Sequence, residues 1–148
     1  MEAIIFIGIQ ATGKSTFYKE NFFNTHVRIS NDLLKTKNRE KMLLEYCQKT
    51  HLSFVVDNTN ITRKAREKYM IFSRNIKIPI KGYYFGIDLE RSLKWNSNRS
   101  GRENIPDVGI LGTFKKLETP SLDEGFNELF YVEIIEGKFI VKEWENEI

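Results

Sequence analysis

Short apolar runs separated by amphipathic stretches run along most of the chain. Residues 3–7 (AIIFI), 53–57 (SFVVD) and 78–87 (IPIKGYYFGI) have the composition of strands buried on both faces of a parallel sheet. Residues 26–30 (HVRIS) are a shorter strand candidate. Between the strands, residues 14–23, 31–50 and 62–76 have roughly helical spacing, with a looser polar segment at 36–39 and Thr62 as an N-cap.

The second half of the chain continues the alternation and then changes. Residues 88–100 are predicted to form a helix opened by Asp88, followed by a polar loop at 101–109 and a short helix at 110–118. Residues 128–145 (ELFYVEIIEGKFIVKEWE) form two predicted strands joined by a turn at Glu136-Gly137. This order predicts an α/β fold, a parallel sheet covered by helices on both faces, with a C-terminal β-hairpin added.

Composition narrows the class of protein only a little. The 148 residues, 41% of them apolar, predict a single domain (1–148) with a packed core. A formal charge of +3 permits a phosphate-bearing partner without requiring one. The lone cysteine, Cys47, is expected in the core of the protein. A single cysteine also indicates a reducing compartment. No apolar run has membrane length and the N-terminus lacks a basic leader, so we expect a cytoplasmic protein with no membrane partner.

The stretch GIQATGKST, directly after the first strand, carries the strongest chemistry. It fits G-x-x-x-x-G-K-[S/T], a loop whose backbone amides wrap a polyphosphate. Lys14 would place an ammonium on the terminal phosphates and Ser15 a hydroxyl on Mg²⁺, while the following helix adds its positive end. The residues expected to bind the nucleotide here are Gly8, Ile9, Gln10, Ala11, Thr12, Gly13, Lys14, Ser15 and Thr16.

A chance match to this motif in a chain this long is on the order of one in a few hundred, given the average frequency of glycine. A buried strand before the motif and a helix after it are the context that the motif requires. The sequence therefore predicts a P-loop NTPase fold that binds a nucleoside triphosphate, ATP in particular, with Mg²⁺. The motif alone does not choose between a switch, a motor and a phosphotransferase.

Two carboxylates follow later strands. Asp32 comes after the second strand, where it could take a proton from an attacking hydroxyl. A helix N-cap at Asn31 or Asp32 explains the same residues equally well. Asp57 ends a buried strand, the place from which a carboxylate can hold Mg²⁺ together with Ser15. The alternative for Asp57 is a cap on the next turn, but the phosphate loop favours the metal role.

Two arginines lie where the predicted helix at 88–100 gives way to the polar loop. Arg99 and Arg102 could act as lid residues that reach the transferring phosphate as its charge spreads over three oxygens. Basic residues at the end of a solvated helix, favoured there by the helix dipole, explain them equally well. Both alternatives remain open on composition.

Taken in order, GxxxxGKST, ISND, VVDNTN and NSNR before a polar loop resemble the kinase domain of the polynucleotide 5′-hydroxyl kinases. The later stretch LETPSLDEGFNEL is similar to the segment near the end of the animal enzymes' kinase domain. The resemblance covers residues 3 to 132, which is nearly the whole chain. Each motif is short, so it is their order and spacing that make the resemblance specific.

The resemblance implies transfer of the γ-phosphate of ATP to a 5′-hydroxyl end of DNA or RNA. It implies that Asp32 is the general base, that Lys14 and Ser15 are the phosphate and magnesium residues, and that Arg99 is the lid arginine. It also implies an acceptor side that includes Lys35. Asp57 matches the aspartate that ends the family's third strand, and Asp57, Asn58 and Thr59 are expected at the acceptor as well.

The chain departs from the family at two places. Its loop lacks the Pro-Gly that often fills the middle of the motif, and Lys35 offers a point charge where the phage enzyme has a bidentate guanidinium. The acceptor could therefore be a small molecule or another RNA hydroxyl, and a nucleotide-binding module without transfer activity is a further alternative. The basic stretch Lys35, Lys37, Arg39 and Lys41 could follow a phosphate backbone or simply be a solvated face.

Overall fold

The computed structural model describes residues 1–86, 94, 96–98 and 107–144. Apart from residues 94 and 96–98, the predicted helix at 88–100 lies outside these residues, as do Asp88, Arg99 and Arg102. The proposed lid roles of the two arginines therefore remain predictions.

A six-stranded sheet with the order β2-β3-β1-β4-β5-β6 organises the chain. The first five strands in that order pair in parallel, and β6 pairs antiparallel with β5. The α/β class, the parallel sheet and the C-terminal hairpin are thus confirmed. The strands are β1 (Ala3–Ile7), β2 (Val27–Ile29), β3 (Phe54–Val56), β4 (Ile80–Phe85), β5 (Glu128–Ile135) and β6 (Lys138–Glu143).

Five α-helices have their bounds within the described residues: α1 (Lys14–Asn21), α2 (Asn31–Leu34), α3 (Lys37–Thr50), α4 (Arg63–Asn75) and α5 (Asp107–Lys116). The single helix predicted for 31–50 is two helices, because Lys35 takes a positive φ of 71° that ends α2. Thr36 then caps α3 by accepting from the amide of Arg39 at 3.2 Å. Thr62 caps α4 as predicted. α5 begins earlier than expected, since residues 107–109 of the predicted loop are helical.

Both faces of the sheet are buried, and β1 shows how. Ala3, Ile5 and Ile7 face a cluster that includes Leu44 of α3 and Tyr69 of α4. On the opposite face, Ile4 and Phe6 pack against Phe17 and Tyr18 of α1. Since successive side chains of a strand point to opposite faces, the uninterrupted apolar run of β1 is the pattern that two covered faces require.

Cys47 is fully buried in the cluster on the α3–α4 face, as predicted. Burial raises the pKa of its thiol, so the side chain is neutral and apolar at physiological pH. Across the described residues, no helix combines the length and the apolar character that a bilayer crossing needs.

Candidate active site

Three loops meet at the carboxyl edge of the sheet. The glycine-rich loop follows β1, residues 57–60 follow β3, and Ser30 to Asp32 follow β2. Because β3 lies between β1 and β2, residues 57–60 separate the glycine-rich loop from α2. The carboxyl edge of a parallel sheet is where α/β folds bind their ligands.

The glycine-rich loop includes two residues in the left-handed region and one glycine packed closely against β4. Gly13 and Ala11 have positive φ angles of 90° and 57°, and a Cβ on Gly8 would lie 3.1 Å from the Cβ of Phe85. Lys14, the first residue of α1, is 8% exposed and donates from Nζ to the carbonyls of Gly8 at 3.1 Å and Ile9 at 2.6 Å. The loop therefore already holds its ammonium close to the N-terminus of α1.

Ser15, Asp57 and Arg28 form a compact polar triangle beside this loop. The Ser15 hydroxyl donates to Oδ2 of Asp57 at 2.9 Å. Arg28, on β2, donates from Nε to the same carboxylate oxygen at 2.9 Å and from Nη2 to Ser15 Oγ at 3.2 Å. The side chain of Asp57 is 2% exposed, so these contacts satisfy a carboxylate that water barely reaches. It contacts neighbouring strands and helices rather than capping a turn.

The donor set fits Mg²⁺. Mg²⁺ prefers oxygen ligands and takes one or two from the protein, the rest coming from water and phosphates. The Ser15 hydroxyl and the Asp57 carboxylate supply two such oxygen ligands. Both side chains already contact a cation, the guanidinium of Arg28. Elsewhere in the described ranges, no three His, Cys, Asp or Glu side chains gather into a metal-binding group.

Residues 57–60 are fixed from two sides. The amide of Gly8 donates to Thr59 O at 2.9 Å, and Asn60 Nδ2 donates to Phe6 O at 2.8 Å, which ties the segment to β1. From the other side, the fully buried Arg66 donates from Nη1 to Asn60 O at 2.8 Å. Sequence reasoning missed Asn60 and Arg66, because a structural role for either depends on neighbours far away in the chain.

Arg66 is itself held by a buried carboxylate. Its Nε and Nη2 donate to the two oxygens of Glu124 at 2.8 and 2.9 Å, in the short 3-10 turn Leu122–Glu124. The position of the segment that carries Asp57, Asn58 and Thr59 therefore depends on a paired charge in the interior of the domain.

Asn58 connects this segment to α2. Its Oδ1 accepts from the amide of Asn31 at 2.8 Å, whereas Ser30, at the N-cap, makes no side-chain cap bond. The N-cap alternative for Asn31 and Asp32 is therefore wrong, because the cap bond comes from another loop. Asp32 lies in the first turn of α2 with an exposed side chain, and no hydrogen bond or ion pair joins it to any other described residue.

The helices beyond Asp32 combine exposed bases with one buried acid. The four basic residues predicted as a stretch are all exposed: Lys35, Lys37, Arg39 and Lys41. Below them, the buried Glu40 pairs with Lys68 at 2.7 Å and accepts from the Tyr69 hydroxyl at 3.1 Å. Burial, reinforced by the Glu40 charge, raises the pKa of Tyr69, so its hydroxyl stays protonated and keeps donating.

The glycine-rich loop also contacts α5. Gln10 Nε2 donates to Thr113 Oγ1 at 2.9 Å, and Thr113 donates to Gly109 O at 2.9 Å within the helix. The carbonyl oxygen of the Gln10 side chain is buried without a described partner. Gln10 therefore ties the loop to the helix that follows residues 99–106, a contact that the motif does not predict.

A glycine-rich loop between β1 and α1, a buried lysine at its end and a serine–carboxylate pair at β3 define a P-loop kinase-like nucleotide-binding domain. The fold comparisons agree. Kti12 from Chaetomium thermophilum, solved with ADP-AlF3, superposes with a TM-score of 0.66 at 14% identity, covering 88% of each chain. A gluconokinase from Sinorhizobium meliloti 1021 has a TM-score of 0.65 at 14% identity, covering 91% of this chain and 83% of its own.

The family follows from the sequence comparison. A family model described as an AAA domain matches residues 4–111, and the chain belongs to this family. A bifunctional polynucleotide phosphatase/kinase from Schizosaccharomyces pombe is 24% identical over 132 residues, or 86% of this chain. The chain spans 32% of the length of that relative.

Proposed function

We propose that this protein is an ATP-dependent kinase that transfers the γ-phosphate of ATP to a 5′-hydroxyl end of DNA or RNA. The observation that carries the kinase part is the linked arrangement at the sheet edge. The glycine-rich loop, Asp57 and Asp32 follow three adjacent strands in that spatial order. A donor site, a metal site and a candidate base therefore occur in the order that phosphoryl transfer needs.

On the donor side, the amides of the glycine-rich loop and the ammonium of Lys14 would hold the phosphates. Ser15 and Asp57 would hold Mg²⁺, which, when bound, neutralises charge on the phosphate oxygens. Lys14 is already enclosed by the loop, so little reorganisation separates it from the bound nucleotide. Arg99 and Arg102, together with Lys14, are proposed to stabilise the charge that spreads over the transferring group.

On the acceptor side, Asp32 would orient the attacking hydroxyl and take its proton. The hydroxyl oxygen then bonds to the γ-phosphorus while the bond to the β–γ bridging oxygen breaks and ADP leaves. Asn31, which precedes Asp32, donates its amide to Asn58, which follows Asp57, so α2 contacts the segment that carries the proposed metal ligand. Lys35, Asn58 and Thr59 would help to shape the acceptor side.

Two observations support a nucleic-acid acceptor. The S. pombe relative is named a bifunctional polynucleotide phosphatase/kinase, and 86% of this chain aligns with it. The exposed basic residues between positions 35 and 41 form a surface that a phosphate backbone could follow. We place the protein in the cytoplasm, in keeping with its one cysteine, a buried free thiol.

A small hydroxylated acceptor is the second candidate. The gluconokinase comparison shows that this fold accommodates an enzyme named for a sugar acid. Asp32 and Lys35 are exposed, an arrangement that also suits a small polar molecule. A nucleotide-binding module without transfer remains the alternative from another class. A candidate base, metal ligands and a phosphate lysine side by side favour transfer over such a module.

The test is a transfer assay with γ-labelled ATP, Mg²⁺ and a set of acceptors: 5′-hydroxyl DNA, 5′-hydroxyl RNA, nucleosides and gluconate. We expect label on an oligonucleotide end. Asp32→Asn should keep ADP affinity within about twofold and lower transfer by about 10²- to 10⁴-fold, the usual contribution of a general base. Asp123→Asn, at a carboxylate whose side chain is 70% exposed, is the matched control.

Each outcome has a distinct meaning. Label on gluconate or a nucleoside alone would replace the nucleic-acid acceptor with a small one. ADP binding without any labelled product would favour the binding module. Full transfer by Asp32→Asn would remove Asp32 from the mechanism while leaving the kinase proposal in place.

A further inference from the structure

Arg28 contacts Ser15 and Asp57, the two proposed metal ligands, although the proposed reaction gives it no role. It lies in the middle of the short strand β2 (Val27–Ile29) and pairs in register with Val55. That register puts its side chain on the sheet face covered by α1, from which Ser15 projects. One guanidinium thus reaches a hydroxyl from α1 and a carboxylate from β3.

The three side chains form a closed triangle of hydrogen bonds. Ser15 Oγ donates its proton to Asp57 and accepts from Arg28, while Asp57 accepts from both. A metal ion bound to Ser15 Oγ needs an oxygen lone pair at about 2.0–2.1 Å, and a guanidinium donating to that oxygen competes for it. The guanidinium and Mg²⁺ therefore compete for oxygens of the same two side chains.

The charges lead to the same conclusion. The Asp57 side chain is 2% exposed and needs a cation close by when no metal is bound. Arg28 supplies that cation, and its own side chain is 32% exposed, so it has an open route toward solvent. With Mg²⁺ and Arg28 both close to one carboxylate, repulsion between the two cations adds to the competition.

We propose that Arg28 is an internal counter-ion of the metal site, bound to Ser15 and Asp57 in the nucleotide-free protein and displaced by the Mg²⁺–nucleotide complex. The inference builds on the proposed ATP–Mg²⁺ site and adds a residue that sets its metal affinity. The apparent affinity for Mg²⁺ is lowered by the fraction of molecules in which Arg28 occupies the ligands. Metal binding and release of Arg28 are one coupled step.

Substitution of Arg28 tests this coupling through binding rather than turnover. In Arg28→Gln, the apparent Mg²⁺ affinity in the presence of ADP should rise about fivefold or more, the usual lower range of coupling between sites. In EDTA the variant should melt below the unsubstituted protein, because Asp57 has lost its cation, and Mg²⁺–ADP should narrow that gap. Isothermal titration and thermal melting measure the two effects.

Arg63→Gln is the matched control. It removes the same charge from an arginine in an exposed ion pair with Asp123 and should leave the Mg²⁺ dependence unchanged. Arg28→Lys retains the charge without the planar guanidinium that reaches two oxygens. Its Mg²⁺ affinity should therefore lie between those of the unsubstituted protein and Arg28→Gln.

A measurement on the unsubstituted protein covers the case in which Arg28→Gln does not fold. The Arg28 Nε–H should be slow to exchange with water in EDTA and in ADP with EDTA, and fast in Mg²⁺–ADP, as followed by nitrogen–proton NMR. The Nε–H peak that is missing from the spectrum of Arg28→Lys is the peak of Arg28.

Weaker or unchanged Mg²⁺ binding in a folded Arg28→Gln, or a slow Nε–H in Mg²⁺–ADP, would overturn the counter-ion role alone. If neither the unsubstituted protein nor Arg28→Gln binds Mg²⁺–ADP, the proposed function fails together with the counter-ion role.

Discussion

The nucleotide side and the proposed acceptor side of this sheet edge are built in opposite ways. On the nucleotide side, Lys14 and Asp57 are 8% and 6% exposed, and each makes hydrogen bonds within the protein. On the acceptor side, Asp32 and Lys35 are exposed, and neither side chain contacts a described polar partner. The two sides are separated by residues 57–60, which contact both.

The difference follows from the cost of burying polar groups. A buried ammonium or carboxylate must be paired, so the nucleotide side is arranged before any ligand arrives. An exposed carboxylate is paired with water, and its position is set by its backbone alone. Preorganisation of the nucleotide side thus lies in side chains, whereas that of the acceptor side lies in the short helix α2 and the contact that caps it.

The largest effect is expected where the two sides share one segment. Arg66→Met should lower the free energy of unfolding by about 3–5 kcal/mol, because it leaves Glu124 as an unpaired buried charge. Urea denaturation measures this loss. The exposed pair of Arg63 and Asp123 is the control, and Arg63→Met should cost about 0–1 kcal/mol. Equal losses in the two variants would show that the anchor of residues 57–60 is not the buried arginine.

An intermediate effect is expected at the cap of α2. Asn58→Ala removes the acceptor for the Asn31 amide and should cost about 0.5–2 kcal/mol of local stability. We expect turnover to fall or the acceptor KM to rise while ADP affinity stays unchanged. That result would separate the two sides kinetically. Asn58→Asp keeps the acceptor oxygen and should recover part of the loss. Asn38→Ala, at an exposed position of α3, is the control. A parallel loss of ADP affinity in Asn58→Ala would contradict the separation.

The smallest effect is expected from the exposed bases. Lys37→Gln and Lys41→Gln should each change stability by less than about 0.5 kcal/mol, as surface substitutions do. With an oligonucleotide acceptor, each should reduce the slope of log affinity against log salt by up to about 0.7–0.9. Lys49→Gln, in the last turn of α3, is the control. A salt slope that neither Lys37→Gln nor Lys41→Gln changes would point to a small acceptor instead.

The contiguous features of this chain could be predicted, and the reason is local. The loop from Gly8 to Thr16 carries its phosphate-binding motif in consecutive residues, and the apolar runs of β1 and β4 report two buried faces directly. The turn at Glu136-Gly137 likewise fixes the hairpin from a dipeptide, with positive φ at both residues.

The missed residues depend on partners that are distant in the chain. Arg28 lies 29 positions from Asp57, and Arg66 lies 58 positions from Glu124. One indication was available for Arg28, since a charged residue between Val27 and Ile29 in a strand must face something polar. Its partner could not be named, because nothing in the residues around Arg28 specifies which loop it meets.

The sequence by itself determined the strand–helix alternation, the phosphate loop and the presence of two carboxylates after strands. Tertiary structure alone decided that β3 lies between β1 and β2. This strand order brings Asp57 to Ser15 and lets Asn58 cap the helix that carries Asp32. The physical reason is that strand order is selected by the packing of whole helices and sheet faces against one another. Local patterns specify where strands occur but not which strands become neighbours.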